Sequence, residues 1–449
     1  MPHLIGLFLA AVLAAAAGVY AWAQLPIALL AAILFFLTGA APLRDRSHRA
    51  VDAWLLAALA VIALQLVPLP ATVIAGISPA AIPLQDAISL APLGEWRPLT
   101  IRPAATRQAL LAAIAGALTF WAARHALRDG GSRSLVGVVG VTGIALALLT
   151  HAQRATAPET LLWLWRPYAE GARPYGPFVD RNHLATWIVL AVPAIAGLAT
   201  ARTIAAGLDH LPWRVRAARI FSAPGVTLPL VSVALLGLTL VATLSRSGLV
   251  AGAAAVVLAS ALRRGHPLQR AAAAAVGVSV LAAAALWLNS AGIGERLAAT
   301  LSQGGETSRM VIWSESLRLA AAFPVVGTGA GTFADAMLQY QQRGTTVLFN
   351  HAHNEALQLL AEGGGVLLAI ALGAGAAFGL AARRALRASS GAERALRAGA
   401  ILGLAAGAMQ SIWDTGLHTP ANLLLAAVLA ALAIYERGHR PHDSQSTTV

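Results

Sequence analysis

Residues 226–262 read VTLPLVSVALLGLTLVATLSRSGLVAGAAAVVLASAL, and this stretch decides the fold. It carries one charge, Arg246, in the corner Thr243-Leu-Ser-Arg246-Ser-Gly248. The arm on each side is near the roughly 20 apolar residues that a helix needs to cross a bilayer core. Backbone groups in hydrocarbon must be satisfied within their own segment, so each arm reads as a helix and the corner as a tight turn at the membrane surface. A β-barrel would show short alternating segments, not continuous Ala/Leu/Val runs.

The pattern recurs along the chain. Hydrophobic residues make up 58% of the 449 and charged residues only 11%, against about 25% charged in a soluble domain. The sequence predicts an all-α polytopic membrane protein of about twelve transmembrane helices, at 4–24, 25–42, 51–73, 106–127, 134–150, 183–203, 226–244, 247–262, 270–291, 355–381, 396–413 and 420–436. It divides into 1–180 (N-terminal spans and two outer loops), 181–291 (central spans with the arginine corner), 292–354 (a large outer loop) and 355–449 (C-terminal spans and a cytoplasmic tail). There is no cysteine, which excludes disulfides and thiolate chemistry. Ala-Trp-Ala-Gln closes the first tract like a cleavage site, but no basic segment precedes it, so an uncleaved first helix is expected.

The net charge of +13 is one-sided. One set of connections is short and arginine-rich: Arg44, Arg46 and Arg49; Arg124, Arg128 and Arg133; Arg202, Arg214, Arg216 and Arg219; Arg263, Arg264 and Arg270; Arg383 to Arg397; Arg437 and Arg440. It holds 20 arginines against 7 acids, and the other set is neutral with 12 of each. By the positive-inside rule both termini are expected on the cytoplasmic side of an inner (cell) membrane. The basic loops read as topology determinants and membrane-lipid contacts, so no nucleic-acid partner is expected.

Chemistry is expected on the opposite side, where three long loops run at 74–105, 151–182 and 292–354. Arg246 lies at membrane depth, where an ionisable group is costly and functional by default; the bland alternative is an arginine snorkelling to lipid phosphate. In the large loop a helix is predicted from Thr307 to Phe323, stopped by Pro324, with Arg309, Trp313 and Leu317 on one face. Arg246 and Arg309 offer two planar forks suited to phosphate, whereas Arg318 and Arg343 read as solvated charges. The loop ends in His351-Ala-His353-Asn354-Glu355, with Asn354 a plausible N-cap and His353 able to move a proton at the helix end. Glu355 and Glu362 fall on one helical face. His351 and His353 are two apart and do not share a helix face, so metal-free chemistry without a cofactor is expected. Asp414-Thr-Gly-Leu-His418-Thr-Pro420-Ala-Asn422 reads equally as a pocket lining, through His418 and Asn422, and as a short capped turn. Gly327-Thr-Gly329-Ala-Gly331 follows no strand and is expected to be a flexible turn, not a nucleotide loop.

Taken in order, these features resemble the O-antigen ligase and O-antigen polymerase family of bacterial membrane glycosyltransferases, over roughly residues 175–435. The resemblance is carried by Tyr175-Gly-Pro-Phe178-Val-Asp-Arg181-Asn182-His183 at the start of a span, by Leu-Ser-Arg246-Ser-Gly, by Arg309-x-x-x-Trp313 with Phe-Pro324-x-x-Gly327-x-Gly329, by His353-Asn354 followed after nine residues by Gly364, and by Pro420-Ala-Asn422. Leu367 departs from the small residue that members often carry there. The resemblance implies a GT-C-like fold with a large periplasmic loop and a glycan donor on undecaprenyl diphosphate. It also implies no nucleotide sugar or metal. Arg246 and Arg309 would hold the diphosphate, and His353 would act as or assist the general base. Asn354, Glu355, Arg181, Asn182, His418 and Asn422 are the candidate substrate-binding residues beside them. The implied reaction is inverting transfer to an acceptor hydroxyl: lipid A–core for a ligase, favoured by the arginine and His-Asn pattern, or a second lipid-linked glycan for a polymerase. A secondary transporter is the reading from another class, though the polar residues gather at one outer face.

Overall fold

The computed structural model describes residues 1–167, 174–262, 267–289, 309–342 and 348–437. Arg263, Arg264, Arg343, Arg440, Thr307, residues 290–308 of the large loop and the tail beyond 437 lie outside the described residues. Within the described residues the chain is all-α, apart from the antiparallel pair Pro68–Pro70 and Trp96–Pro98. Among the described residues, six helices are long and apolar enough to cross a membrane: Ala21–Thr38, Pro103–Asp129, Ser132–Thr156, Arg181–Ala205, Pro224–Thr243 and Glu355–Ala388. A further helix stands at each remaining predicted span: Pro2–Ala14, Arg49–Leu64, Arg246–Leu262, Pro267–Asn289, Gly391–Gln410 and Pro420–Ile434. The multi-pass all-α architecture thus holds, while the count of twelve and the GT-C relationship rest on the sequence reading alone.

The Arg181–Ala205 helix is the hub of the bundle, buried along most of its length. It meets Gly391–Gln410 through glycines. A β-carbon at Gly197 would come within 2.6 Å of the Ala395 carbonyl, and one at Gly399 within 2.5 Å of the Pro193 carbonyl. Gly403 faces Leu190 in the same way. Small residues at this spacing let two backbones approach closely in lipid, where apolar burial alone does not drive association.

Two arginines counted as surface topology signals are structural instead. Arg397 is buried and donates to the carbonyls of Ala433 and Tyr435, closing the end of the last helix. Arg124 is buried and pairs with Asp52 at 2.8 Å, and Trp121 Nε1 donates to the other oxygen of Asp52. A buried carboxylate requires such partners.

A second hydrophobic core lies outside the bundle. Ile74, Leu84 and Ile101 pack with Ile312, Leu319, Phe323, Phe333 and Phe349, so the first and third long loops form one layer. The predicted amphipathic helix is present as Arg309–Ala322. Its Ile312–Glu315–Ser316–Leu319 face is buried in this layer, while Arg309, Met310 and Leu317 remain exposed.

The layer is joined to the bundle at a break in the Glu355–Ala388 helix, where Gly364 adopts φ 61°, ψ −166°. The carbonyls of Ala361 and Glu362, freed by the break, accept from the amides of Thr328 and Gly329, and the amides of Gly365 and Val366 donate to Pro324 and Val325. The glycine run is therefore a tightly held strap, not the flexible turn expected. Gly327 and Gly329 have positive φ and press on the Glu362 backbone and on Thr100, where no side chain would fit. Glu362 accepts from the amides of Gly331 and Phe333 and from Gln358, and Gln65 donates to the carbonyls of Val326 and Glu362. Leu367 is buried and fills the space beside Gly363, so the larger residue is accommodated at this turn.

Candidate active site

Four segments bring histidines together at one end of the bundle: the start of the Arg181–Ala205 helix, the 351–358 turn, residues 410–416, and the Gly416–His418 turn leading into the last helix. Asp180 caps the first by accepting from the Asn182 amide at 2.6 Å. Asn354 caps the second, its Oδ1 accepting from the Leu357 amide at 3.0 Å while Nδ2 donates to the Ile412 carbonyl. The Glu355 amide donates to Ser411 and Gln410 donates to the Asn182 carbonyl, tying the segments through backbone groups. Asn422 is fully buried and gives Nδ2 to the carbonyls of His183 and Gly416, so it is a strut between two of them.

On this frame sit two histidine–carboxylate pairs. His353 Nδ1 lies 3.8 Å from Asp414 Oδ1, an ion-pair distance too long for a direct hydrogen bond. His418 Nε2 lies 3.0 Å from Glu355 Oε1. The His351 ring stands 5.9 Å from the His418 ring, and His183 Nδ1 meets Thr419 Oγ1 at 2.9 Å. His353 has φ 47°, a left-handed conformation uncommon for a side chain of its size.

These surroundings divide the histidines by charge. Burial drives the His351 imidazole down to about 3, and the positive potential of His418, His183 and His353 adds to it, so His351 is a neutral ring. Burial also opposes protonation of His418, yet the charge and hydrogen bond of Glu355, with Glu362 behind it, push His418 up to about 9. Burial would raise the Asp414 carboxyl, but His353, His183 and the Thr415 amide outweigh it and hold the group below its usual value. One consequence is testable. His418 has a folded value above its ordinary 6.5, so the His418–Glu355 pair contributes fully below about pH 6.5 and is lost as pH rises through about 9. Thermal unfolding followed from pH 6 to 10 is expected to show a fall near the upper value in the wild type and none in Glu355→Gln. A fall of equal size in both would remove the pair as its cause. The pair is about a third exposed at His418, so the effect is modest.

Buried polar atoms without a hydrogen-bond partner concentrate here: Nδ1 of His351 and His353, Glu355 Oε2, Asp414 Oδ2, Thr415 Oγ1 and Asn422 Oδ1. A cluster of unsatisfied polar groups in a well-packed protein marks a place built for solvent or ligand.

The structure brings His353, Asn354, Glu355, His418 and Asn422 of the predicted residues together with Asn182. Arg181 is exposed at the start of its helix. Arg246 is exposed at a corner on the same end of the bundle, where a β-carbon on Gly248 would come within 2.7 Å of Ala185, half a turn from His183. Arg309 is exposed at the start of a helix whose Ile312 and Leu319 share a hydrophobic core with Ala352, which separates His351 and His353. Sequence reasoning assigned no role to His183, His351 or Asp414. His183 closes the Arg181-Asn182-His183 run and Asp414 opens the last polar turn, but only the fold shows that Asp414 faces His353 and that His183 lies near Asp414 and His351.

Fold and site define a polytopic helical membrane protein with a histidine–carboxylate centre at one membrane face. Residues 231–372 match the family model described as O-antigen ligase, and that match supports an O-antigen ligase family. This family is of the membrane glycosyltransferase type, with lipid-linked glycans as substrates. The matched region includes Arg246, Arg309 and His353; Asp414 and His418 lie beyond it. Comparison with curated proteins found no match.

Proposed function

We propose that this protein transfers a glycan from undecaprenyl diphosphate to an acceptor hydroxyl at the periplasmic face, in the manner of an O-antigen ligase acting on lipid A–core. The observation that carries the reading is the His353–Asp414 pair among a cluster of unsatisfied polar atoms. His353 takes the proton of the acceptor hydroxyl as its oxygen attacks the anomeric carbon. The bond from that carbon to the diphosphate oxygen breaks, undecaprenyl diphosphate leaves, and the configuration inverts. Asp414 holds the imidazole in one tautomer and offsets the positive charge it gains. A polyprenyl chain stays in lipid, so its diphosphate lies at headgroup depth, where Arg246 and Arg309 offset the charge growing on the leaving group.

Arg246→Ala and Arg309→Ala are each expected to lower transfer about 10²-fold or more while the protein still inserts, since loss of one donor to a developing anion has effects of that order. Purified protein given undecaprenyl-diphosphate glycan, with lipid A–core or with a second lipid-linked repeat, tests the whole reading. One addition to lipid A–core supports ligation. A ladder of products identifies a polymerase, and uptake into proteoliposomes without transfer identifies a transporter.

A further inference from the structure

At the far end of the bundle from the histidines is a charged cavity, of about 350 Å³, lined by Arg44, Arg46, Trp121, Arg124, His125 and Arg128. Its distance from the histidine layer follows from the Pro103–Ala126 helix. Thr106, near the start, donates to the Ala330 carbonyl in the glycine strap. Arg124 comes 18 residues later, roughly 27 Å along the axis at 1.5 Å per residue. The cavity therefore opens at the opposite membrane face, on the arginine-rich side.

Its charge is only partly compensated. Asp45 accepts from Arg128 at 2.7 Å and from His48 at 3.0 Å, and Asp52 accepts from Arg124. Among the described residues, neither Arg44 nor Arg46 lies within ion-pair distance of a carboxylate, and both are exposed. The decisive atom is Arg124 Nη1. Arg124 is 7% exposed, its Nη2 is taken by Asp52, and Nη1 is buried without a partner while the side chain lines the cavity. A buried guanidinium nitrogen left unsatisfied is costly unless an anion completes it.

Next to the cavity lies exposed apolar surface. His125 also lines an adjoining recess that includes Leu37 and Thr38. From that recess Leu37, Ile33 and Leu30 are exposed along the Ala21–Thr38 helix, at spacings that place them on one face.

We propose that this cavity binds a phosphate ester anion, the headgroup of an anionic phospholipid of the cytoplasmic leaflet. Arg124 Nη1, Arg44 and Arg46 hold the phosphate, and the acyl chains lie on the Leu30–Ile33–Leu37 stripe. The site is separate from the histidine centre and does not depend on the function proposed for that centre.

The test is lipid retention by native mass spectrometry of protein released from phosphatidylcholine nanodiscs containing phosphatidylglycerol. Arg44→Ala/Arg46→Ala is expected to weaken phosphatidylglycerol retention at least about tenfold, since each lost contact is a hydrogen bond to a charged group. Arg44→Lys/Arg46→Lys should restore part of it. Arg383→Ala/Arg384→Ala, in a different basic loop, should retain lipid like the wild type. A second arm adds excess inorganic phosphate. Retention that survives it identifies a lipid headgroup, and displacement identifies free phosphate as an equal occupant of the same anion site. Equal retention by the wild type and the double alanine variant overturns the proposal, as does an equal loss in the Arg383/Arg384 variant, which would mean diffuse surface electrostatics.

Discussion

His353→Asn is expected to reduce glycan transfer by about 10²- to 10⁴-fold, the usual contribution of a positioned general base, with donor binding nearly unchanged. Asparagine is a cleaner probe than alanine because His353 sits at φ 47°, a left-handed conformation that Asn adopts far more readily than most residues. The variant thus removes the imidazole while leaving the turn its shape. Asp414→Asn should cost less than loss of His353, because the proton acceptor remains and only its orientation and charge compensation are lost. At 3.8 Å the pair is looser than a hydrogen bond, as catalytic contacts often are before substrate closes the site. Combining the two substitutions is the sharper test. If Asp414 acts through His353, the double variant should be no slower than His353→Asn alone, because residues that work as a unit are not additive. Asp414→Asn should also move the acidic limb of the pH–rate profile, whereas a merely structural aspartate would scale the rate at every pH. Additive losses with an unmoved profile would sink the role given to Asp414.

How far the sequence foretold this centre depends on the range of each signal. Span positions were legible because bilayer thickness forces long apolar runs, and His353-Asn354-Glu355 was legible because a cap, a histidine and an acid crowd one helix start. Partners were not. Glu355 and Glu362 share a helical face, yet Glu355 pairs with His418 while Glu362 holds the glycine strap. That division depends on which loop arrives at each turn, which periodicity does not encode. Asn422, whose segment reads equally as a pocket lining and as a short capped turn, is a buried strut between two backbones. The Gly399-x-x-x-Gly403-x-x-x-Gly407 spacing was a visible sign of close helix packing that went unused, and it faces Leu190 and Pro193 of the hub helix. Arg124 and Arg397 show the converse limit, since a charge count fixes a side of the membrane without telling a headgroup contact from a buried ion pair.

The largest stability effect is expected at Gly364. Its φ 61°, ψ −166° belongs to a region open essentially to glycine alone, which costs other residues on the order of 1–3 kcal/mol. A β-carbon there would also overlap the Val325 carbonyl, so the strap must move. It would then lose bonds from Gly365 to Pro324 and from Val366 to Val325, each about 0.5–1.5 kcal/mol. Gly364→Ala should therefore destabilise the protein by at least about 3 kcal/mol, the sum of the smaller backbone and hydrogen-bond terms with part of the steric cost. Gly375→Ala, in the same helix with open space around its added carbon, should be neutral or slightly stabilising because alanine is the better helix former. Unfolding of the two variants in the same detergent, followed by tryptophan fluorescence, makes the comparison, and equal midpoints would refute a structural break at Gly364. The same break should matter for chemistry. The short segment before it presents Asn354 and Glu355 to the 411–418 turn, and the strap beyond it ties that segment to the layer bearing Arg309. A mild strap lesson comes from Glu362→Gln, which keeps the volume but turns an amide nitrogen toward the Gly331 or Phe333 N–H donors. It should lower transfer while leaving insertion intact, because what it loosens is the register between the histidines and the outer layer.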